Sequence, residues 1–172
     1  LWHHNTDGKL YSVAISSDGE YIAAGNADNK LYLFHKNNET PLWIYTTGAL
    51  VFSVAISADG EYIAIGSYDG KVYLFDKDSS TPLWSYATGN EIYSVAITED
   101  GEYLLVSSYD DKVYLFDKDS SNPLWNYSTG NSARTVAISA DGKYIAAATK
   151  PGSWPYDGKI YLFDKDSSTP LW

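Results

Sequence analysis

A recurring tryptophan marks an internal repeat that runs through the whole chain. It returns at intervals of 41 residues and once after 47, at Trp2, Trp43, Trp84, Trp125 and Trp172. Around it a block typified by residues 53–84, SVAISADGEYIAIGSYDGKVYLFDKDSSTPLW, is written about four times in 172 residues. Because each copy repeats the same apolar and turn residues, the chain must fold into about four equivalent units.

Each unit has the pattern of four short β-strands. In the second copy, Asp59-Gly60 and Asp69-Gly70 supply the positive φ angles that tight turns require, and the Asp/Ser segment before Pro82 supplies the next connection. The apolar runs YIAI and VYLF are continuous rather than alternating, as expected for strands covered on both faces. The sequence predicts an all-β fold, a β-propeller of four tandem four-stranded blades of about 41 residues, either alone or within a ring of about eight blades.

The repeat also sets the predicted boundaries inside a single domain of residues 1–172. The blades are predicted at 11–48, 52–89, 93–130 and 134–172, with residues 1–8 as an outer strand that closes a blade. Segments 1–2 and 171–172 occupy the same place in the repeat, so we expect the closing strand to pair with 159–164 of a fourth blade. That blade would belong to a second copy or to another part of a longer chain, which predicts a homo-oligomer or a segment of a larger protein.

Two propeller families share residues with this repeat. The stretch SVAISADGEYIAIGSYDG, with the later Phe75-Asp76, resembles a WD40 repeat that has Phe-Asp in place of Trp-Asp. The stretch GKVYLFDKDSSTPLW, with tryptophan eight positions after aspartate, is similar to the PQQ-like (quinoprotein-type) repeat. The second resemblance implies that four tryptophans dock against adjacent blades: Trp43, Trp84, Trp125 and Trp172. Enzymes of that family hold a quinone and calcium with adjacent cysteines, and this chain has no cysteine, so no cofactor is expected.

Charge and composition restrict the partners. The net charge of −10, with Arg134 as the single arginine, argues against nucleic acid or an anionic membrane. No apolar run approaches the roughly 18 residues that a membrane helix needs, so no membrane insertion is expected. Sequons at Asn38 and Asn126 are compatible with export, and we expect an extracellular or cell-surface location.

Catalytic and metal-binding motifs are sparse. The only histidines, at positions 3, 4 and 35, leave few arrangements for a Ser-His-Asp triad. The connections typified by Asp76-x-Asp78-x-Ser80 could place oxygen ligands around calcium, but they lack the glycine and distal glutamate of an EF-hand loop. Side-chain-capped turns are the favoured interpretation, so no catalytic residue and no metal site are predicted.

Departures from the repeat indicate where binding is to be expected. The residue before the first strand of each unit is Tyr11, Phe52, Tyr93 and then Arg134, and the fourth unit carries six added residues at 150–155. Exposed aromatic and cationic side chains on loops are a common way of building a recognition site. The predicted rim contains Arg134, Lys150, Trp154, Tyr156, Tyr68, Tyr109 and Tyr93. The alternative is a surface insertion that binds nothing.

These observations favour a non-enzymatic scaffold that binds a protein or a glycan through one rim. Two alternatives stay open: a structural cell-surface or filament component, and a degenerate quinoprotein-like enzyme. Soluble rings of one size would favour the scaffold, whereas ordered polymers would favour the structural component.

Overall fold

The computed structural model describes residues 2–150 and 158–172, which form fifteen β-strands and no helix. Blade 1 contains β1 (Leu10–Ile15), β2 (Tyr21–Asn26), β3 (Lys30–His35) and β4 (Trp43–Thr46). Blade 2 contains β5 (Val51–Ile56), β6 (Tyr62–Ser67), β7 (Lys71–Asp76) and β8 (Trp84–Ala87). Blade 3 contains β9 (Ile92–Ile97), β10 (Tyr103–Ser108), β11 (Lys112–Asp117) and β12 (Trp125–Ser128). Blade 4 contains β13 (Ala133–Ile138), β14 (Tyr144–Thr149) and β15 (Ile160–Asp164).

Each blade is an antiparallel sheet whose strands lie in chain order. The predicted all-β fold of tandem blades is therefore confirmed. The fourth blade differs from the prediction, because within the described residues its sheet has three strands. In blades 1 to 3 the outer strand begins at the recurring tryptophan. The equivalent tryptophan of blade 4 is Trp172, the last residue of the given sequence. The amide of Leu171 still donates to the carbonyl of Leu162 at 2.7 Å, as Leu83 does to Leu74 in blade 2 at 2.8 Å.

The segment at 2–8 lies on blade 1 and pairs with no strand within the described residues. Its predicted partner, segment 159–164, lies at the other end of the array as β15. The indole N–H of Trp2 instead donates to the carbonyl of Lys36 at 2.6 Å, and its ring lies 5.6 Å from that of Phe34. The segment thus covers part of blade 1 without closing a blade of its own chain.

The hydrophobic core lies between successive blades. One cluster joins Leu31 and Leu33 of blade 1 to Ile63, Ile65 and Phe75 of blade 2, all with no exposed surface. Equivalent clusters lie between blades 2 and 3 and between blades 3 and 4. Stability is therefore distributed over neighbour contacts, as in other repeat proteins.

The tight turns keep their geometry even where the repeat loses its glycine. Gly70 in blade 2 has φ of 80°, a conformation that costs glycine little. In blade 3 the equivalent residue is Asp111, and it adopts φ of 66°. Aspartate tolerates this left-handed region better than most residues, so the hairpin forms in both blades. No helix in the described part of the chain is long and apolar enough to cross a membrane.

Candidate binding rim

The first strand of every blade has a β-bulge at one residue. In each blade a register shift leaves one residue of the first strand without a pairing partner on the second strand. These residues are Tyr11, Phe52, Tyr93 and Arg134. A bulge bends its strand and changes the direction of the bulged side chain. The sequence places these four residues just before the first strands, whereas the structure has them inside those strands, at the bulge. Their side chains lie together on one rim.

Aromatic rings connect these bulged residues into a row. Phe52 lies 5.5 Å from Tyr11 and 5.6 Å from Tyr93, measured between ring centroids. Tyr68 and Tyr109, each directly after the second strand of its blade, lie 5.5 Å and 5.8 Å from Tyr93. These separations are typical of favourable aromatic pairs. The five rings are called the aromatic row below.

Arg134 extends the aromatic row onto blade 4. Its guanidinium carbon lies 3.8 Å from the centroid of the Tyr93 ring and 5.4 Å from that of Tyr109. Both distances fall within the range of cation–π attraction. Three residues of the predicted rim, Arg134, Tyr93 and Tyr109, are thus in contact.

Tyr68 is the other predicted rim residue in the row, and its hydroxyl is held in the neutral form. Burial, followed by the neighbouring Tyr93, raises the pKa of Tyr68 to about 12, although the charge of Arg134 opposes this shift. The Tyr68 hydroxyl therefore stays protonated, and can donate a hydrogen bond, up to a higher pH than an ordinary tyrosine.

A polar cavity of about 250 Å³ opens beside Tyr68, between blades 2 and 3. Its other lining residues are Asp69, Gly70, Thr88, Gly89, Asn90 and Glu91. Within the described part of the chain, the Glu91 carboxylate takes part in no ion pair. The cavity is therefore suited to a positively charged group.

The neighbouring Asp69, which also lines the cavity, forms hydrogen bonds inside the fold. Its carboxylate accepts from the Tyr73 hydroxyl at 2.7 Å and from the Gly48 amide of the preceding connection at 2.9 Å. In blade 3, Asp110 accepts from Tyr114 at 2.5 Å and from Gly89 at 2.8 Å. Sequence reasoning missed this inter-blade link, although the recurrence of the Asp/Gly/Tyr spacing is a signal for it.

The remaining predicted rim residues belong to the loop of blade 4. Lys150 is exposed and its amide donates to the carbonyl of Ser132 at 2.9 Å. Tyr68 makes the equivalent backbone bond to Leu50 at 3.0 Å, so Lys150 takes the place that tyrosine holds in blade 2. Trp154 and Tyr156 lie outside the described residues.

Three of the four tryptophans predicted to dock contact the next blade. The indole N–H of Trp43 donates to the Lys77 carbonyl at 2.7 Å, and Trp84 and Trp125 make the same bond to the next blades at 2.7 and 2.6 Å. Trp172 is 68% exposed, since within the described residues no further blade lies beside it. The Asp-x-Asp-x-Ser connections contain a side-chain cap, in which Asp76 Oδ1 accepts from the Asp78 amide at 2.8 Å.

Comparisons with known proteins agree with this architecture. The family described as outer membrane protein assembly factor BamB, a PQQ-like repeat family, matches residues 1–172, and the chain belongs to that family. Hydrazine synthase from Kuenenia stuttgartiensis has a similar structure, with a TM-score of 0.83 at 17% identity. The match covers 98% of this chain and 49% of that one, so this chain spans about half the length of that protein. No curated protein matches.

Proposed function

We propose that this chain is a non-enzymatic propeller module that binds a protein partner through the aromatic row and the adjoining cavity. The observation that carries the proposal is the set of four bulges, which bring Tyr11, Phe52, Tyr93 and Arg134 to one rim. Packing inside a blade does not require four bulged side chains to meet. A cluster of this kind suits a recognition surface, because aromatic side chains and arginine dominate the energetics of protein interfaces.

The charge of the site suggests the chemistry of the partner. Glu91 lines the cavity, and the whole chain carries a net charge of −10. A lysine or arginine of the partner would find a carboxylate there, with the Tyr68 hydroxyl beside it. The exposed ring of Tyr109 would contact the apolar atoms that flank this charge. We therefore propose a basic polypeptide segment as the ligand.

The family description adds support for a protein partner. It names an assembly factor for outer membrane proteins, which is a role carried out on other proteins. The similar solved structure is an enzyme by name, but at 17% identity it supports the fold alone.

The proposal can be tested by selecting ligands from a random peptide library with the immobilised chain. We expect the enriched peptides to carry lysine or arginine and to bind about tenfold more weakly to the Glu91→Gln variant, since a charge-assisted contact is lost. Glu99→Gln is the matched control, because Glu99 lies beyond the opposite end of β9 in the same blade and its loss should leave affinity unchanged.

Other outcomes would contradict the proposal. Equal affinity of a selected peptide for the Glu91 and Glu99 variants would exclude the cavity as the binding site. Enrichment of acidic peptides would show that the charge argument is wrong. Binding found on a glycan array, with no peptide enriched, would assign the rim to carbohydrate instead.

A further inference from the structure

Arg134 occupies a position that is aromatic in the first three blades. Its equivalent in blade 3 is Tyr93, whose ring lies 5.6 Å from that of Phe52 and 5.5 Å from that of Tyr68. One blade further on, Tyr93 and Tyr109 form the equivalent pair, and the guanidinium of Arg134 takes the place of the third ring. The repeat therefore builds the same cluster of three side chains twice, with a cation as one member of the second cluster.

The stacking holds the Arg134 guanidinium at a defined place on the rim. Its central carbon lies 3.8 Å from the centroid of the Tyr93 ring. Within the described residues, Arg134 takes part in no ion pair, and its buried Nε has no acceptor there. Because Nε is buried, a ligand can reach only the two terminal nitrogens. A guanidinium that is already held in position loses little freedom when it binds.

We propose that Arg134 binds the side-chain carboxylate of an aspartate or glutamate in the protein partner. This inference rests on the proposed function, and it adds an acidic residue to the basic residue expected at Glu91. The terminal nitrogens of a guanidinium can donate two parallel N–H bonds to the two oxygens of a carboxylate. A phosphate group carries up to about two negative charges, and a chain with a net charge of −10 repels it more strongly than a carboxylate.

The cavity that contains Glu91 lies close to Arg134. Glu91 and Tyr93 are two residues apart in the chain, and Arg134 stacks on the Tyr93 ring. Burial is the main cause of the raised pKa of Tyr68, but the charges of Arg134 and Glu91 also act on that pKa, in opposite directions. Two residues of extended chain span at most about 7 Å, so one short peptide can contact both sites.

The two charges fix how such a peptide lies on the rim. The equivalents of Glu91 in blades 2 and 4 are Leu50 and Ser132, neither of which carries a charge, and Arg134 is the single arginine of the chain. A peptide with one basic and one acidic residue therefore has one favourable register, with its basic residue at the cavity and its acidic residue on Arg134. Charge complementarity of this kind determines orientation and specificity.

Peptides selected from the random library provide the probe. We expect those that depend on Glu91 to carry an aspartate or glutamate a few residues from their lysine or arginine. In isothermal titration calorimetry with the unmodified chain, replacing that acidic residue by its amide should weaken binding about tenfold, because a charge-assisted contact is lost. The Arg134→Gln variant should bind the original peptide about tenfold more weakly. It should bind the amide peptide equally well, since the two changes remove the same contact.

Lys143→Gln is the matched control for Arg134→Gln. Lys143 lies beyond the opposite end of β13 in the same blade. Like Arg134 it stacks on a tyrosine, with its Nζ 5.2 Å from the centroid of the Tyr144 ring. Its substitution should leave peptide affinity unchanged. Near-UV circular dichroism shows whether each variant keeps the native packing, and the amide peptide tests the contact on the unmodified chain.

The outcomes separate this inference from the proposed function. Peptides that depend on Glu91 but bind equally well after the amide replacement, or equally well to Arg134→Gln, would overturn the inference alone. The same holds if amidation of the peptide C-terminus abolishes binding and the side-chain replacement does not, because the ligand would then be a terminal carboxylate. A library that yields no peptide dependent on Glu91 would overturn the proposed function and this inference with it.

Discussion

Replacing Trp84 with alanine should reveal how much one docking tryptophan contributes to the array. The indole ring lies 5.4 Å from the Phe116 ring, and its N–H donates to the Lys118 carbonyl at 2.7 Å. Truncation of a large aromatic residue in a core costs about 3–5 kcal/mol. Trp84 is only partly buried, so we expect a loss near the lower end of that range, about 3 kcal/mol.

A phenylalanine variant separates the two components of that loss. Trp84→Phe keeps an aromatic ring against Phe116 but removes the N–H donor, and a hydrogen bond contributes about 1 kcal/mol. We expect Trp84→Phe to lose about 1–1.5 kcal/mol and Trp84→Ala about twice as much. Trp172→Ala is the matched control, because the same residue in the same repeat position is 68% exposed and should change stability by less than about 0.5 kcal/mol.

Urea unfolding followed by far-UV circular dichroism would measure these changes at one fixed protein concentration. The comparison requires unchanged m values, since a change in m indicates altered cooperativity. A loss below about 1 kcal/mol for Trp84→Ala, or an equal loss for Trp172→Ala, would refute the view that docking on the next blade is what stabilises the fold.

Two further predictions concern the blade connections and the rim. Asp110→Ala should lower the free energy of unfolding in urea by about 2 kcal/mol, because the buried Tyr114 hydroxyl loses its acceptor. The control Asp119→Ala, at an exposed turn, should lower it by less than about 0.5 kcal/mol. Equal effects of the two substitutions would contradict the inter-blade link. In a phenolate absorbance titration, Tyr68 should ionise only near pH 12. Because its pKa is raised in the folded state, its neutral hydroxyl contributes to the free energy of unfolding below about pH 10, and this contribution should be lost as the pH rises toward 12. An ionisation near pH 10 that is absent from the Tyr68→Phe variant would contradict the prediction.

The repeat made most of the fold predictable from the sequence. Strand positions follow from the Asp-Gly turns and the spacing of tryptophan, and these signals are local. The bulges at Tyr11, Phe52, Tyr93 and Arg134 could not be predicted, because a bulge depends on how two strands pair and not on either strand alone. Arg134 was recognisable as an exception to the repeat, but its stacking on Tyr93 was not.

The behaviour of Trp172 shows a second limit. Its sequence context is almost the same as that of Trp84, and local reasoning assigns both to inter-blade docking. The difference arises from the neighbouring blade, because blade 3 covers Trp84, whereas the described residues place no blade over Trp172. A repeat pattern predicts each unit well but not the surroundings of the terminal units.

The most direct test of the rim is hydrogen–deuterium exchange on the chain saturated with a peptide selected from the library. We expect slower exchange in segments 51–54, 67–70 and 91–94, which carry three rings of the aromatic row, Phe52, Tyr68 and Tyr93, and part of the cavity lining. Exchange should not change in the turns at the opposite end of the blades, 58–60 and 99–101. Protection confined to those turns or to the outer strands would show that the partner binds elsewhere.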